Sequence, residues 1–194
     1  MKRLDLLILA AIVACGTPAT NTDLTPRASR EVVAALPMWF NNPPTDSNYV
    51  FGAASATSRD LQLAVNKAQT AGRNDIAQQL ETRFSSMARR FQEEVGIGDD
   101  SELLDQFTQV YRSVTDQMLI GSRVREQQVQ PEGQIYRAYV LMEMPIGAVS
   151  EALLERIRGR ENMYTRFRAA EAFSDLESEV ENYQVWKNAM APQQ

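Results

Sequence analysis

The side chains able to do chemistry are few in this sequence, and their spacing suits little catalysis. Carboxylates cluster at Glu93-Glu94, at Asp99-Asp100, and at Glu177, Glu179 and Glu181. A glycoside-cleaving pair needs two carboxyl groups opposed across a cleft, ~5 Å or ~6.5–9.5 Å apart. These are instead neighbours along the chain, the spacing of a solvated helix face or a loop. Asp99-Asp100 lacks the oxygen ladder of a calcium loop, and Gly96-Ile97-Gly98 precedes no phosphate-binding pattern and reads as a helix break. No serine stands in a nucleophile elbow. The chain has no histidine and one cysteine. That removes the Ser-His-Asp triad, the Cys-His pair, imidazole zinc sites, the haem histidine and any intrachain disulfide. No catalytic set, no metal site and no cofactor follow from these residues. A net charge of −5, from 20 basic and 25 acidic side chains, also speaks against nucleic acid as a partner.

The lone thiol has a telling position. Met1-Lys2-Arg3-Leu4-Asp5 is a short, net-positive start, followed by eight apolar residues from Leu6 to Val13, then Ala14-Cys15-Gly16. Eight helical residues rise roughly 12 Å against the ~30 Å hydrocarbon core, so the run is too short to span a bilayer. It fits a signal peptide over residues 1–14. Ile12-Val13-Ala14-Cys15 is similar to a bacterial lipobox, in which cleavage precedes the cysteine and its sulfur carries a diacylglycerol. Several acyl chains on Cys15 would anchor the protein stably, at about 0.8 kcal/mol per buried methylene. Residues 16–28 are rich in Thr and Pro with a single large apolar side chain, a composition that cannot offset ordering entropy. With Cys15 they read as a tether, residues 15–28.

Two other groups of residues suggest contacts with partners. Arg156, Arg158, Arg160, Arg166 and Arg168 precede Glu171, Asp175, Glu177, Glu179 and Glu181. On one continuous helix, blocks of opposite sign ~25–30 Å apart could pair head-to-tail between copies and build a ring or filament. The plainer reading is a solvated face with local pairs worth ~0.3–0.5 kcal/mol each. Trp39, Phe40 and Tyr49 form an aromatic group beside Pro37, Pro43 and Pro44. These rings either plug the edge of a core or expose a ligand-binding aromatic surface.

The elements that carry these residues can be read from periodicity. Residues 29–36 suit a short helix capped by Ser29. Asn48 to Ala56 reads as a strand running into small residues. Ser58 is placed to cap a long helix whose apolar or small positions recur every three or four residues from Leu61 to Val95. Ala64, Ala68, Ala71 and Gly72 in its first half would let it sit close on a sheet. A second helix carries Leu103, Phe107, Val110, Tyr111 and Val114 on one face and folds back on the first. Ile120 to Val129 alternates loosely, Pro131-Glu132-Gly133 supplies a turn, and Gln134 to Met144 alternates clearly. Tyr136, Ala138, Val140, Met142 and Met144 share one face, with Gln134, Arg137 and Glu143 opposite. Helical spacing resumes after Pro145, with Gly159 as a kink or break and Lys187 interrupting the last stripe. The expected fold is α+β: a small, mostly antiparallel three-stranded sheet with helices on one face, in the order β-α-α-β-β-α, ending in a long C-terminal helix.

Pro37-Met38-Trp39-Phe40 and Tyr49-Val50-Phe51-Gly52-Ala53-Ala54-Ser55 lead that pattern. They are followed by Ala64, Ala68 and Ala71 with Asp75-Ile76-Ala77-Gln78-Gln79-Leu80, then Tyr136-Arg137-Ala138-Tyr139-Val140-Leu141-Met142. Together, over residues 37–145, these resemble the twenty-kilodalton bacterial lipoproteins (the Lpp-twenty family). One departure is Gly52-Ala53-Ala54, where many members carry a further Gly. The resemblance implies an outer-membrane lipoprotein, with Gly16 after the cysteine favouring that membrane and the domain facing the periplasm. It implies a non-catalytic structural or assembly role, held to the membrane by its N-terminal lipid and binding itself or other envelope proteins. Flagellar ring or disk accessories belong to the same family, and a periplasmic ligand- or peptidoglycan-binding module using Trp39, Phe40 and Tyr49 is a third reading. The expected parts are an α+β domain over residues 29–145 and a C-terminal helical segment over 146–194 that serves oligomerisation.

Overall fold

The computed structural model describes residues 33–95 and 101–190. The expected signal peptide, Cys15, the tether, the cap at Ser29, the break at 96–100 and the tail at 191–194 therefore lie outside the described residues. Within them the order is α1 (Met38–Asn41), β1 (Tyr49–Ser58), α2 (Leu61–Val95), α3 (Ser101–Leu119), β2 (Arg123–Glu132), β3 (Ile135–Pro145), α4 (Ile146–Arg158), α5 (Glu161–Phe167) and α6 (Glu171–Met190). The fold is α+β with one antiparallel sheet in the order β1-β3-β2. The long C-terminal helix is present as α6, preceded by two shorter helices. Gly159, at the end of α4, marks the first break between them.

The long helix α2 is built as its spacing predicts, and its two halves do different work. Ala64, Ala68, Gly72 and Ile76 are buried on the sheet side. Gly72 lies so close to β1 that a Cβ at Gly52 would stand 2.2 Å from the Gly72 carbonyl oxygen. Past Leu80 the helix runs beyond the sheet and packs on other helices. There Phe91 stacks on Phe167 at 4.0 Å between centroids, and Phe107 meets both rings edge-on at 5.4 and 5.5 Å. Each buried ring contributes ~1.5–3 kcal/mol of burial and a further ~0.5–1.5 kcal/mol of ring pairing.

Asp60, rather than Ser58, caps α2. Its Oδ1 accepts the Leu63 N–H at 2.7 Å, while the Ser58 hydroxyl accepts the Asp60 N–H at 3.1 Å. The expected hairpin is also shifted. Ile120 and Gly121 belong to the turn after α3, and β2 begins at Arg123 and continues through Pro131 and Glu132. The turn itself is Gly133-Gln134, closed by the pair Glu132–Ile135, with Gly133 at φ +60°. Glycine first in a two-residue loop matches the type II′ turn that suits strand twist. Pro131 is tolerated because β2 is an edge strand and the proline nitrogen faces away from β3.

A register shift between Val124 and Glu126 leaves Arg125 as the extra residue of a β-bulge. The bulge explains the loose alternation of β2. Val124 and Val129, five apart, pair with Met142 and Ala138 and so share the helix-covered face. The other face of β3 is not the solvent face that alternation suggests. Tyr139, Leu141 and Glu143 are buried there, and α1 lies over Tyr139, with Phe40 meeting its ring at 5.0 Å.

The two glycines at the helix–sheet contact should respond unequally to a methyl group. At Gly52 the added Cβ meets backbone, so Gly52→Ala is expected to cost about 3 kcal/mol or more. At Gly72 it meets the Met142 Cγ at 2.7 Å and the Gly52 carbonyl oxygen at 3.1 Å; the flexible methionine can yield, and alanine's helix preference returns ~1 kcal/mol. Urea denaturation of both variants checks the order, and an equal loss at the two sites would refute this account.

Candidate functional site

The aromatic residues singled out from sequence separate into two places on the same sheet face. Trp39 and Phe40 ride on α1 and pack toward Tyr139, with Trp39 and Phe40 6.2 Å apart edge-on. Tyr49 starts β1 and belongs to a ladder with Phe51, Trp186 and Tyr183 at 5.6–6.0 Å between successive centroids. Tyr49 and Ser55, the residue paired with Tyr139, are six residues apart on β1, or ~20 Å. All three rings are half-buried. The ladder is held in place by Gly147 on α4, where a Cβ would lie 2.3 Å from the Tyr183 Cβ.

The charge blocks are used largely within the chain. The helix carrying them is bent into α4, α5 and α6, so the blocks turn toward neighbours instead of lying along one axis. Arg158 of α4 donates to Glu177 at 2.8 Å, Arg90 of α2 donates to Asp175 at 2.7 Å, and Arg83 of α2 pairs with Glu179. Glu94 at the end of α2 accepts the Ala172 N–H at 3.3 Å, placing a carboxylate at the positive N-terminus of α6. Arg156 reaches Gln117 at 3.4 Å. Arg160, Arg166, Arg168, Glu171 and Glu181 are solvent-exposed. Lys187, which interrupts the stripe, lies 3.9 Å from Glu151 and over the Tyr183 ring.

One charge cluster was not singled out from sequence. Glu143, 4% exposed on β3, accepts from Arg123 at 2.6 Å and from Arg125 at 3.0 Å. Both arginines come from β2, and the bulge at Arg125 brings the second into reach. Arg125 also lies 5.2 Å from the Phe51 ring centroid, in cation–π range. The Arg123 guanidinium is held further above its usual range, first by the Glu143 hydrogen bond and then by its charge. The signal was present in the chain: a lone Glu in an apolar run, opposite an Arg-x-Arg. Alternation within β3 does not say what covers its second face, and so it did not mark Glu143 as buried.

The clefts among the described residues include three shallow ones of about 510–550 Å³. The first lies between α4 and α6 and contains the Arg83–Glu179 pair. The second follows the free edge of β1 beside Asp75 and Gln79. The third runs between Leu61 and Val65 of α2 and Val129, Pro131 and Tyr136 of the hairpin. Their linings offer hydrogen bonds, ion pairs and apolar area, the chemistry of contact surfaces. No group of three acidic, Cys or His side chains among the described residues is placed to hold a metal ion.

The family profile of the LPP20 lipoproteins matches residues 37–143. The chain belongs to the LPP20 lipoprotein family. The matched stretch begins just before α1 and ends at Glu143, so it contains the sheet up to that residue of β3, α2, α3 and the Glu143 cluster, while α4 to α6 lie beyond it. The LPP20-like motifs of β1, α2 and β3 meet at the contact between α2 and the sheet, where Gly52 touches Gly72, Ile76 and Leu80 are buried, and Gln79 donates to the Phe51 carbonyl at 2.8 Å, while Pro37-Met38-Trp39-Phe40 covers Tyr139 on the opposite face. A comparison with curated proteins finds no match.

The Glu143 cluster makes an asymmetric prediction. Arg123→Ala or Arg125→Ala alone leaves the carboxylate one partner and should cost under ~1 kcal/mol. Removing both strands a buried charge and should cost ~3–5 kcal/mol, more than the two single losses together. A double-mutant cycle followed by denaturation measures that coupling; additive losses would show that the arginines do not share Glu143.

Proposed function

We propose that this LPP20-family lipoprotein is a non-catalytic structural and assembly component of the bacterial outer membrane, anchored through Cys15 and associating with copies of itself or with other envelope proteins. The observation that carries the reading is the family match joined to the position of the only cysteine, at the end of an eight-residue apolar run. No helix among the described residues is long and apolar enough to cross a membrane, and this reading assigns attachment to acyl chains on Cys15. The domain supports an assembly role by its surfaces: shallow clefts, a long rigid helix and exposed charge at Arg160, Arg168, Glu171 and Glu181. Within this reading the orientation is periplasmic, and a ring or disk accessory of the flagellar base is its specialised form.

Replacing the thiol tests the anchor. Cys15→Ser should move the protein from the outer-membrane fraction to the soluble fraction of the cell envelope, with the fold intact by circular dichroism. Retention of the variant in membranes would defeat the lipid-anchor reading.

A further inference from the structure

The sheet has two edges, and they are built differently. The β2 edge is guarded by a bulge at Arg125, a proline at 131 whose nitrogen faces outward, and the charged side chains Arg123, Glu126 and Glu132. These are the devices by which natural proteins prevent edge-to-edge pairing. The β1 edge has none of them. Tyr49-Val50-Phe51-Gly52-Ala53-Ala54-Ser55-Ala56-Thr57-Ser58 is ten residues without charge, proline or bulge, paired in unbroken register with β3.

The hydrogen-bond inventory of that edge is half open. The Tyr49 N–H is used by Asp46, and the Phe51 carbonyl accepts from Gln79. Both groups therefore point away from β3, and strand alternation places those of Ala53, Ser55 and Thr57 in the same direction. Among the described residues, the outward groups of these three have no protein partner. The first half of the edge, along Tyr49 and Phe51, is flanked by Pro43, Asp46, Asp75 and Gln79, so the segment left for pairing runs from Ala53 to Thr57.

The geometry points to the β1 edge as a pairing site for the β1 edge of a second copy, antiparallel about a two-fold axis near Ala54. This deepens the assembly reading above and rests on it. Such pairing sets Ala53 and Ser55 of one copy opposite Ser55 and Ala53 of the other, exchanging main-chain hydrogen bonds with only small side chains at the centre. The ends match in charge. Arg59, exposed just past β1, falls opposite Tyr49 of the partner copy, at the end where the Asp46 carboxylate accepts from Asn48 just ahead of the strand. A parallel arrangement would instead place Arg59 beside Arg59. The two three-stranded sheets then continue as one of six, with the guarded β2 edges outermost, which closes the assembly at two copies along that direction.

Ser55→Pro removes an outward N–H while leaving the β1–β3 ladder intact, and Ser55→Lys adds a charge at the axis without touching the backbone. The full chain in non-ionic detergent should sediment as a dimer, and either variant should raise the dissociation constant at least ~10-fold, with circular dichroism unchanged. Amide exchange at Ala53, Ser55 and Thr57 should slow as concentration rises. If oligomers form and both folded variants keep them, self-association stands and the β1 edge is not its surface. A chain that stays monomeric at high concentration overturns both. Protection of these amides at every dilution would mean that another part of the same chain covers the edge, which also overturns the proposal.

Discussion

Everything in this fold depends on how near α2 can come to the sheet. At the crossing of Gly52 and Gly72 two side chains are reduced to hydrogens, and backbone meets backbone. That approach allows Ala64, Ala68 and Ile76 to be fully buried against β1 and β3 with little side-chain volume between the layers. Packing at native density leaves no slack for an extra methyl at Gly52, where it would meet backbone. The contact also fixes the axial position of a 35-residue helix, and so decides where its far half emerges from the sheet.

The emerging half organises the remainder. Leu80, Phe84, Met87 and Phe91 continue the buried stripe and receive α3, α5 and α6 around the Phe91–Phe107–Phe167 group. Arg83 and Arg90, on the same half, meet Glu179 and Asp175. The arginine side chains of these pairs are 42% and 47% exposed, so each pair contributes ~1 kcal/mol or less. Their value is orientation: they select which face of α6 turns inward, a choice that Phe173 and Leu176 then secure by burial. The LPP20 match ends before these helices, so α2 is the part of the matched region onto which the C-terminal helices are built.

The charges on the sheet follow the same logic. Glu143 is buried on the face that α1 and the arginines of β2 partly cover, and two guanidiniums satisfy it. A carboxylate so placed tolerates little rearrangement, which ties the bulged strand to the central one. The outer face of the sheet is thus closed by polar contacts in one part and by Phe40 over Tyr139 in another. What stays open is the outward backbone of β1 at Ala53, Ser55 and Thr57.

Much of this was legible along the chain. The three-to-four spacing from Leu61 to Val95 specified one amphipathic helix, and its small residues marked the half that meets the sheet. Period-two alternation in β3 specified the helix-covered face, because local periodicity reports which side chains point together. Alternation could not say whether the opposite face meets water, and so Tyr139, Leu141 and Glu143 came out buried against expectation. The bulge was hidden for a related reason: an extra residue shows only when a partner strand is there to count against. The same holds for the C-terminal arginines and carboxylates, whose order in the chain suggested pairing between copies. Their partners, Arg83, Arg90 and Arg158, are 96, 85 and 19 residues away from Glu179, Asp175 and Glu177. Patterns within one element follow from chain geometry and can be read residue by residue. Which element covers which face, and which charge meets which, is set by packing between segments far apart in sequence, where many pairings are compatible with the same local pattern and only the close approach at Gly52 and Gly72 singles one out.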